Sequence, residues 1–255
     1  MITNDPKEIE ILRQSGNILA TVLHLVAKEA RPGASAFDLD RLAEAEIIKR
    51  GGVPAFKNYA AQPGDPPFPA TLCVSVNDEV VHGIPTKSKI LKDGDIVGLD
   101  LGVQYKGLFT DAAITVPVGK VDPAKLKLIT VAKESLAAGL AQVKPGNFTG
   151  DVGNAIEAVA KQNGFQVVRE LVGHGVGKAV HEEPEIPCFG RTKTGTKLVK
   201  GMVLAIEPMV NEGGWKIYFA DDNWTIKTED GGWSAHAEHT ILVTDSGFEI
   251  LTNMV

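Results

Sequence analysis

The chain has 255 residues, of which 44% are hydrophobic and 23% charged, and its formal net charge is -6. This is ordinary globular composition, and without a long basic run it argues against nucleic acid as the main partner. Cys73 and Cys188 lie far apart and form no CxxC motif, which excludes a disulfide framework and favours a reducing compartment. We expect a cytoplasmic protein without signal peptide or membrane span, because no apolar run approaches ~18 residues.

The first half of the chain predicts two helices followed by strands. Asn4-Asp5-Pro6 marks a helix start with Asn4 or Asp5 as N-cap, and apolar residues then recur at steps of three and four until Arg31-Pro32-Gly33. A second helix is predicted from about Phe37 to Arg50. The proline- and glycine-rich stretch 60–70 predicts a loop. Strands are predicted at 72–76, 95–101 and 113–118, with a turn at Gly107 between the last two.

The second half repeats this order. Helices are predicted at 125–143 and 149–163, and strands at 203–207, 218–220, 224–227 and 238–243. Arg31-Pro-Gly-x-x-x-x-Asp38 matches Lys144-Pro-Gly-x-x-x-x-Asp151, and segment 94–100 aligns without gaps on segment 201–207. We interpret the chain as one α/β (α+β) domain, residues 1–255, made of two pseudo-repeat halves of about 1–120 and 121–255. Each half supplies a strand that ends in a carboxylate.

Four carboxylates stand in apolar strand segments, where burial is costly unless the acid is paired or binds a cation. They are Asp100, Asp111, Glu207 and Glu238. A structural ion pair explains any one of them equally well, but it explains all four poorly, because no Lys or Arg lies in these segments. His174, within Val172-Gly-His-Gly-Val-Gly177, adds an imidazole among glycines that let the backbone approach a site. This set suits two divalent cations, and its oxygen atoms favour Mn, Fe or Co over a thiolate zinc site.

Two further histidines complete the candidate site. His82 and His181 each have an ordinary explanation as loop residues. Beside a metal centre they also fit as groups that bind a substrate carbonyl or amide nitrogen and stabilise an oxyanion.

Seven motifs, in order and with fitting spacing, resemble those of the type I methionine aminopeptidases. They are Val76-Asn-Asp-Glu-Val-Val-His-Gly-Ile-Pro85, Gly98-Leu-Asp-Leu-Gly102, Thr110-Asp-Ala112, Gly173-His-Gly-Val-Gly177, His181-Glu182, Ile206-Glu-Pro-Met209 and Ala237-Glu-His-Thr240. The resemblance covers nearly the whole chain. It implies the pita-bread fold, a pseudo-two-fold arrangement around a central antiparallel sheet, which agrees with the internal repeat.

The resemblance also implies a role for each motif residue. The metal ligands would be Asp100, Asp111, His174, Glu207 and Glu238, with Asp111 and Glu238 bridging two ions. Glu207 would in addition act as general base toward the attacking water. His181 would contact the scissile carbonyl, and His82 the substrate nitrogen.

A pocket for the methionine side chain is the last part of the implied site. It would include Phe68, Cys73 and Trp224, and core packing is the alternative explanation for Cys73 and Trp224. The sequence departs from the family pattern in two places: the loop Gln62-Pro-Gly-Asp-Pro-Pro67 is longer than expected, and His236 stands where Gln is more usual.

The implied activity is removal of the initiator methionine from nascent proteins by two divalent cations of the Co, Mn, Fe or Zn kind. Its partners would be nascent N-termini and, as a further candidate, the ribosome, with no nucleic-acid read-out, no membrane and a monomeric enzyme. Two alternatives stay open: an Xaa-Pro peptidase of the same fold, and a non-catalytic pita-bread protein used for binding. The first usually carries a larger N-terminal domain, and the second tends to lose metal ligands.

Overall fold

The computed structural model describes residues 1–60 and 64–253. Gln62 and Pro63 of the predicted proline-rich loop lie outside the described residues, and residues 64–70 of that stretch form no helix or strand. No helix in the described ranges is long and apolar enough to cross a membrane.

Four helices lie where the sequence predicts them. They are α1 (Pro6–Glu29), α2 (Ala36–Lys49), α3 (Pro123–Leu140) and α4 (Thr149–Gln162). The N-cap of α1 is Asp5, whose side chain accepts a hydrogen bond from the Lys7 amide at 2.9 Å. Asp122 caps α3 in the same way, and a proline in the first turn follows both caps.

The strands form antiparallel ladders. They are β1 (Val53–Pro54), β2 (Leu72–Val76), β3 (Glu79–Val81), β4 (Ile96–Tyr105), β5 (Leu108–Pro117), β6 (Gln166–Val167), β7 (Val172–Gly175), β8 (Glu182–Pro187), β9 (Val203–Ile206), β10 (Met209–Asn211), β11 (Ile217–Phe219), β12 (Ile226–Thr228), β13 (Ser234–His236), β14 (His239–Val243) and β15 (Phe248–Ile250). In one sheet β4 pairs with β5, β2 and β1, and a second sheet has the order β15-β14-β9-β7-β8. Two three-stranded sheets, β13-β10-β6 and β11-β12-β3, complete the described strands.

Each main sheet is covered by the helix pair of its own half of the chain. One apolar core joins α1 and α2 to β2 and β4, and another joins α3 and α4 to the second half. The mixed α/β class with antiparallel sheets is therefore confirmed. The treatment of residues 1–255 as one domain stays a prediction.

The two main sheets meet along β5 and β14. The Glu238 amide donates to the Ala113 carbonyl at 2.9 Å, and Thr240 Oγ1 accepts from the Asp111 amide at 2.8 Å. The same hydroxyl donates to the Asp111 carbonyl at 2.7 Å. The predicted central sheet is thus two antiparallel sheets joined at this seam, and the seam brings the acidic strands of both halves together.

The sequence did not predict the strand at the glycine run. Residues 172–175 form β7 between β8 and β9, although glycine disfavours strands in general. A Cβ on Gly173 would lie 2.5 Å from the Ala205 carbonyl oxygen, and one on Gly175 would lie 2.2 Å from that of Glu183. These glycines therefore allow the close backbone approach that places His174 in the site.

Candidate active site

The five predicted metal ligands come from both main sheets and lie together. Asp100 is on β4, Asp111 on β5 and His174 on β7, while Glu207 directly follows β9 and Glu238 directly precedes β14. Ligand atoms of Asp100, Asp111 and Glu238 lie within 4.8 Å of one another, and so do those of His174, Glu207 and Glu238. The two groups share Glu238 and form one continuous cluster.

The buried acids of this cluster are incompletely satisfied. Asp100, Asp111 and Glu238 each have a buried side-chain oxygen without a hydrogen-bond partner among the described residues. Within the same residues their ion pairs are with histidines only, and none is with Lys or Arg. An uncompensated buried charge costs several kcal/mol, which divalent cations bound here would offset. Carboxylate oxygens with one imidazole suit Mn²⁺, Fe²⁺, Co²⁺ or Zn²⁺, so the donor set fits a divalent metal centre.

Without cations, the crowded acids resist ionisation. Burial raises the pKa of Asp100 to about 6. Burial and then the charge of Asp100 raise the pKa of Asp111 well above its usual range, and burial and then Asp111 do the same to the pKa of Glu238. A cation must therefore displace protons from this cluster when it binds.

Glu207 differs from the other acids. Burial opposes its ionisation, but His174 and His236 outweigh that effect and lower the pKa of Glu207 to about 2. Nε2 of His174 lies 3.2 Å from Oε1 of Glu207, and Nε2 of His236 lies 3.6 Å from its Oε2. Glu207 is thus held ionised, which a group that accepts a proton from water requires.

His181 lies at the mouth of the site. Its ring is 4.4 Å from the ring of His174, and its Nδ1 is 2.6 Å from the Tyr59 hydroxyl. Desolvation and then His174 lower the pKa of His181 to about 4, while burial raises the pKa of Tyr59, so both groups are neutral near pH 7. If the phenol donates to Nδ1, the proton of the neutral imidazole is on Nε2 and can be donated to a carbonyl oxygen.

His82 lies on another side of the site. It follows β3 with a φ of 57°, and its ring meets that of Trp224 edge to face at 6.1 Å. Desolvation lowers the pKa of His82 to about 4, which keeps it neutral. A neutral imidazole in this position can accept or donate one hydrogen bond at each nitrogen.

A cavity of about 120 Å³ borders the acid cluster. The three residues predicted for a side-chain pocket, Phe68, Cys73 and Trp224, all line it. Phe68 and Trp224 meet edge to face at 5.2 Å, and the Trp224 indole donates to the Pro66 carbonyl at 3.1 Å. The described part of the proline-rich loop therefore supports one wall of this cavity.

A wider cleft of about 440 Å³ opens beside the cavity. His82, His174, His181 and Glu207 line both spaces. A peptide whose first side chain fills the cavity would therefore place its first peptide bond among these four residues, and the rest of its chain in the cleft.

Sequence reasoning missed Phe56 and Tyr59, which also line the cavity. They reach it because the Phe68 amide donates to the Tyr59 carbonyl at 2.7 Å and closes the loop between them, a pairing that no sequence motif marks. His236 was noted only as a departure from a family pattern. Its spacing of two residues from Glu238 was an available signal, since residues i and i+2 of an extended chain share a face.

Comparison with known proteins places the chain among the metallopeptidases. The sequence model described as metallopeptidase family M24 matches residues 10–245. The chain is 45% identical to methionine aminopeptidase 1 of Bacillus subtilis over 254 residues, which is 100% of both chains. It is 44% identical to the methionine aminopeptidase of Aquifex aeolicus, with 97% of each covered.

Solved structures agree with these matches. The crystal structure of methionine aminopeptidase from Thermotoga maritima has a TM-score of 0.95 at 45% identity, covering 99% of this chain and 100% of that one. The prolidase from Pyrococcus furiosus shares the fold, with a TM-score of 0.79 at 22% identity, and this chain spans 65% of its length. The Xaa-Pro alternative is thus supported by the fold alone.

Acidic and histidine side chains that could hold metal ions lie at the seam beside the cleft, and the chain belongs to metallopeptidase family M24. Within that family it groups with the methionine aminopeptidases, which are metal-dependent hydrolases. The predicted family, pita-bread fold and enzyme class are confirmed.

Proposed function

We propose that the chain removes the N-terminal methionine from nascent polypeptides with two divalent cations. The residues that would hold them are Asp100, Asp111, His174, Glu207 and Glu238. One observation carries the proposal: a cluster of carboxylates with buried, unsatisfied oxygens borders a cavity lined by aromatic side chains and a thiol. That cavity has room for one apolar side chain, and the neighbouring cleft has room for the peptide that follows it.

The cations, when bound, polarise the peptide carbonyl and acidify water in the site. Glu207 accepts the proton of the attacking water and returns it to the leaving nitrogen. His181 donates a hydrogen bond to the carbonyl oxygen, on which negative charge develops. His82 contacts the substrate nitrogen, while Phe68, Cys73 and Trp224 hold the methionine side chain.

Release of methionine from a Met-Ala-Ser peptide tests the proposal. We expect turnover that a chelator abolishes and that Co²⁺, Mn²⁺, Fe²⁺ or Zn²⁺ restores when each is added alone. Calorimetric titration should give two ions per chain. Cleavage of Xaa-Pro bonds only would refute the proposal in favour of the second enzyme class, and no turnover with any divalent cation would favour a binding protein.

The enzyme is proposed to act as a cytoplasmic monomer. Ligands from both halves of one chain complete the cluster, so a second copy is not required. Sedimentation velocity tests the monomer, and cosedimentation with translating ribosomes tests whether the enzyme meets its substrates there.

Tyr59→Phe should lower kcat about 10-fold with little change in KM, because the ring still lines the pocket while His181 loses the hydrogen bond that orients it. Steady-state kinetics on Met-Ala-Ser measures this effect. Tyr105→Phe removes a hydroxyl at the far end of β4 and serves as the control. Equal activity of the Tyr59 and Tyr105 variants would show that the phenol does not orient His181.

Cys73→Ala should make the cavity less selective for the methionine side chain. The buried thiol lines the cavity, so its removal leaves space and takes a contact from the methionine side chain. We expect kcat/KM for Met-Ala-Ser to fall about 10-fold relative to Leu-Ala-Ser, the scale of one methylene-sized change in an apolar pocket. Cys188→Ala is the matched control, since that buried thiol is not among the residues that line the cavity. An unchanged Met/Leu ratio would place Cys73 in the core and not in the pocket.

A further inference from the structure

His236 is a buried histidine beside the acids that the proposed mechanism does not use. The residue is 3% exposed, and its Nε2 is buried without a hydrogen-bond partner in the described ranges 1–60 and 64–253. A buried polar atom left in this state destabilises the folded protein. Buried polar groups in native proteins are nearly always satisfied, so a partner for this nitrogen is expected in the complete site.

The backbone fixes where this imidazole lies. The His236 amide donates to Thr115 Oγ1 at 2.9 Å, and the same hydroxyl donates to the His236 carbonyl at 2.8 Å. On its strand β13, His236 pairs with Met209 of β10. These bonds join the two halves of the chain, so the ring is attached to the rigid seam and not to a loop.

The ring nitrogen faces two carboxylates at once. Nε2 of His236 lies 3.6 Å from Oε2 of Glu207 and 3.9 Å from Oε2 of Glu238. The other oxygen of each acid, Oε1, is buried without a hydrogen-bond partner in the described chain. Oε1 of Glu207 lies on the side of His174, at 3.2 Å from its Nε2. Each acid therefore turns Oε2 toward His236, while Oε1 of Glu207 faces His174, another of the predicted metal ligands.

We propose that His236 is a positioning residue for the metal centre. Its Nε2–H donates to the Oε2 atoms of Glu207 and Glu238, fixes the rotation of both carboxylates, and leaves both Oε1 atoms to the cations. Both distances exceed a hydrogen bond of about 3 Å by less than 1 Å, so a small contraction of the cluster closes them. The inference rests on the proposed function, because only a cation-binding cluster needs its two acids fixed in this way.

Two variants of similar size distinguish the effect of the hydrogen-bond donor of His236 from the effect of its side-chain volume. His236→Leu removes the donor, and His236→Gln keeps one on its side-chain amide. Titration calorimetry of the metal-free proteins with Mn²⁺ should give a Kd about 10–100-fold weaker for His236→Leu. The Kd of His236→Gln should stay within a few-fold of wild type. At saturating Mn²⁺, kcat of His236→Leu should fall about 10-fold with KM for Met-Ala-Ser nearly unchanged, since Glu207 loses its orientation.

Several outcomes would overturn the positioning role. One is wild-type Mn²⁺ affinity in folded His236→Leu, and another is a His236→Gln protein as weak as His236→Leu. A changed Co²⁺ ligand-field spectrum in His236→Gln would make His236 a direct ligand instead. If His236→Leu does not fold, His236→Ala supplies the donor-free protein.

His24→Gln, on the exposed face of α1, controls for the loss of an imidazole. Failure of the wild type to bind Mn²⁺ or to hydrolyse Met-Ala-Ser would refute the proposed function. If the wild type binds Mn²⁺ and is active, variants that depart from the expected Mn²⁺ affinities would refute only the role of His236.

Discussion

Glu207→Gln is expected to lower kcat for methionine release by about three orders of magnitude while divalent cations stay bound. The substitution keeps an oxygen that can ligate a cation but removes the group that accepts the proton of water, and general-base catalysis contributes about 10²–10⁴-fold. Glu207 is suited to this role because His174 and His236 hold it ionised, whereas burial and neighbouring acids raise the pKa of Asp111 and of Glu238. Single-turnover kinetics with saturating Mn²⁺ measures the loss of turnover. Metal analysis of the purified protein measures whether the cations stay bound.

The control is Glu134→Gln, which makes the same chemical change on the exposed face of α3. It should leave both kcat and metal content unchanged. Near-wild-type turnover of Glu207→Gln would refute its role as base. Loss of turnover together with loss of the cations would assign the residue to ligation alone.

Much of this site could be predicted because its acidic residues stand within recognisable apolar strand segments. An acid in an apolar strand is costly to bury, and the internal repeat makes Asp100 and Glu207 equivalent positions of two halves. The helices were predicted to within a few residues, and the start of α1 most closely, since Asp5 caps it through a local hydrogen bond. These features depend on neighbours in sequence, and local patterns report them well.

Other features depend on contacts between distant segments. The strand at His174 exists because the glycines beside it let β8 and β9 approach, and the Tyr59–His181 hydrogen bond joins residues from opposite halves of the chain. The place of His236 between two acids likewise follows from its hydrogen bonds to Thr115 across the seam. A single sequence carries the residue types for such contacts but not their distances.

Asp100→Asn is expected to stabilise the metal-free protein at neutral pH while it impairs metal binding. Burial raises the pKa of Asp100 from 3.8 to about 6. A carboxyl with a raised folded-state pKa contributes stability that is fully present below the unfolded pKa and is lost as pH rises through the folded value. Without cations, wild type should therefore lose stability relative to Asp100→Asn between about pH 4 and pH 7. A shift of about two units corresponds to about 3 kcal/mol.

Urea unfolding of both proteins in chelator across this pH range measures the difference in their free energy of unfolding. His82 and His181 also change the stability in this pH range, because their pKa is lowered in the folded state. Both proteins contain these histidines, so their contributions cancel to first order when the two free energies of unfolding are subtracted. Asp221→Asn, an exposed acid, should show no such pH-dependent gap.

Saturating Mn²⁺ should reverse the order of stability of wild type and Asp100→Asn. A ligand that binds only the folded state stabilises it by mass action, and wild type offers the carboxylate that Asn lacks. The effect should grow from pH 5 to pH 8, because cations and protons compete for the same oxygens. If metal-free Asp100→Asn is less stable than wild type at pH 8, the carboxylate has a partner within the protein. The protein itself would then stabilise the ionised form of Asp100, which would contradict the raised pKa on which this prediction rests.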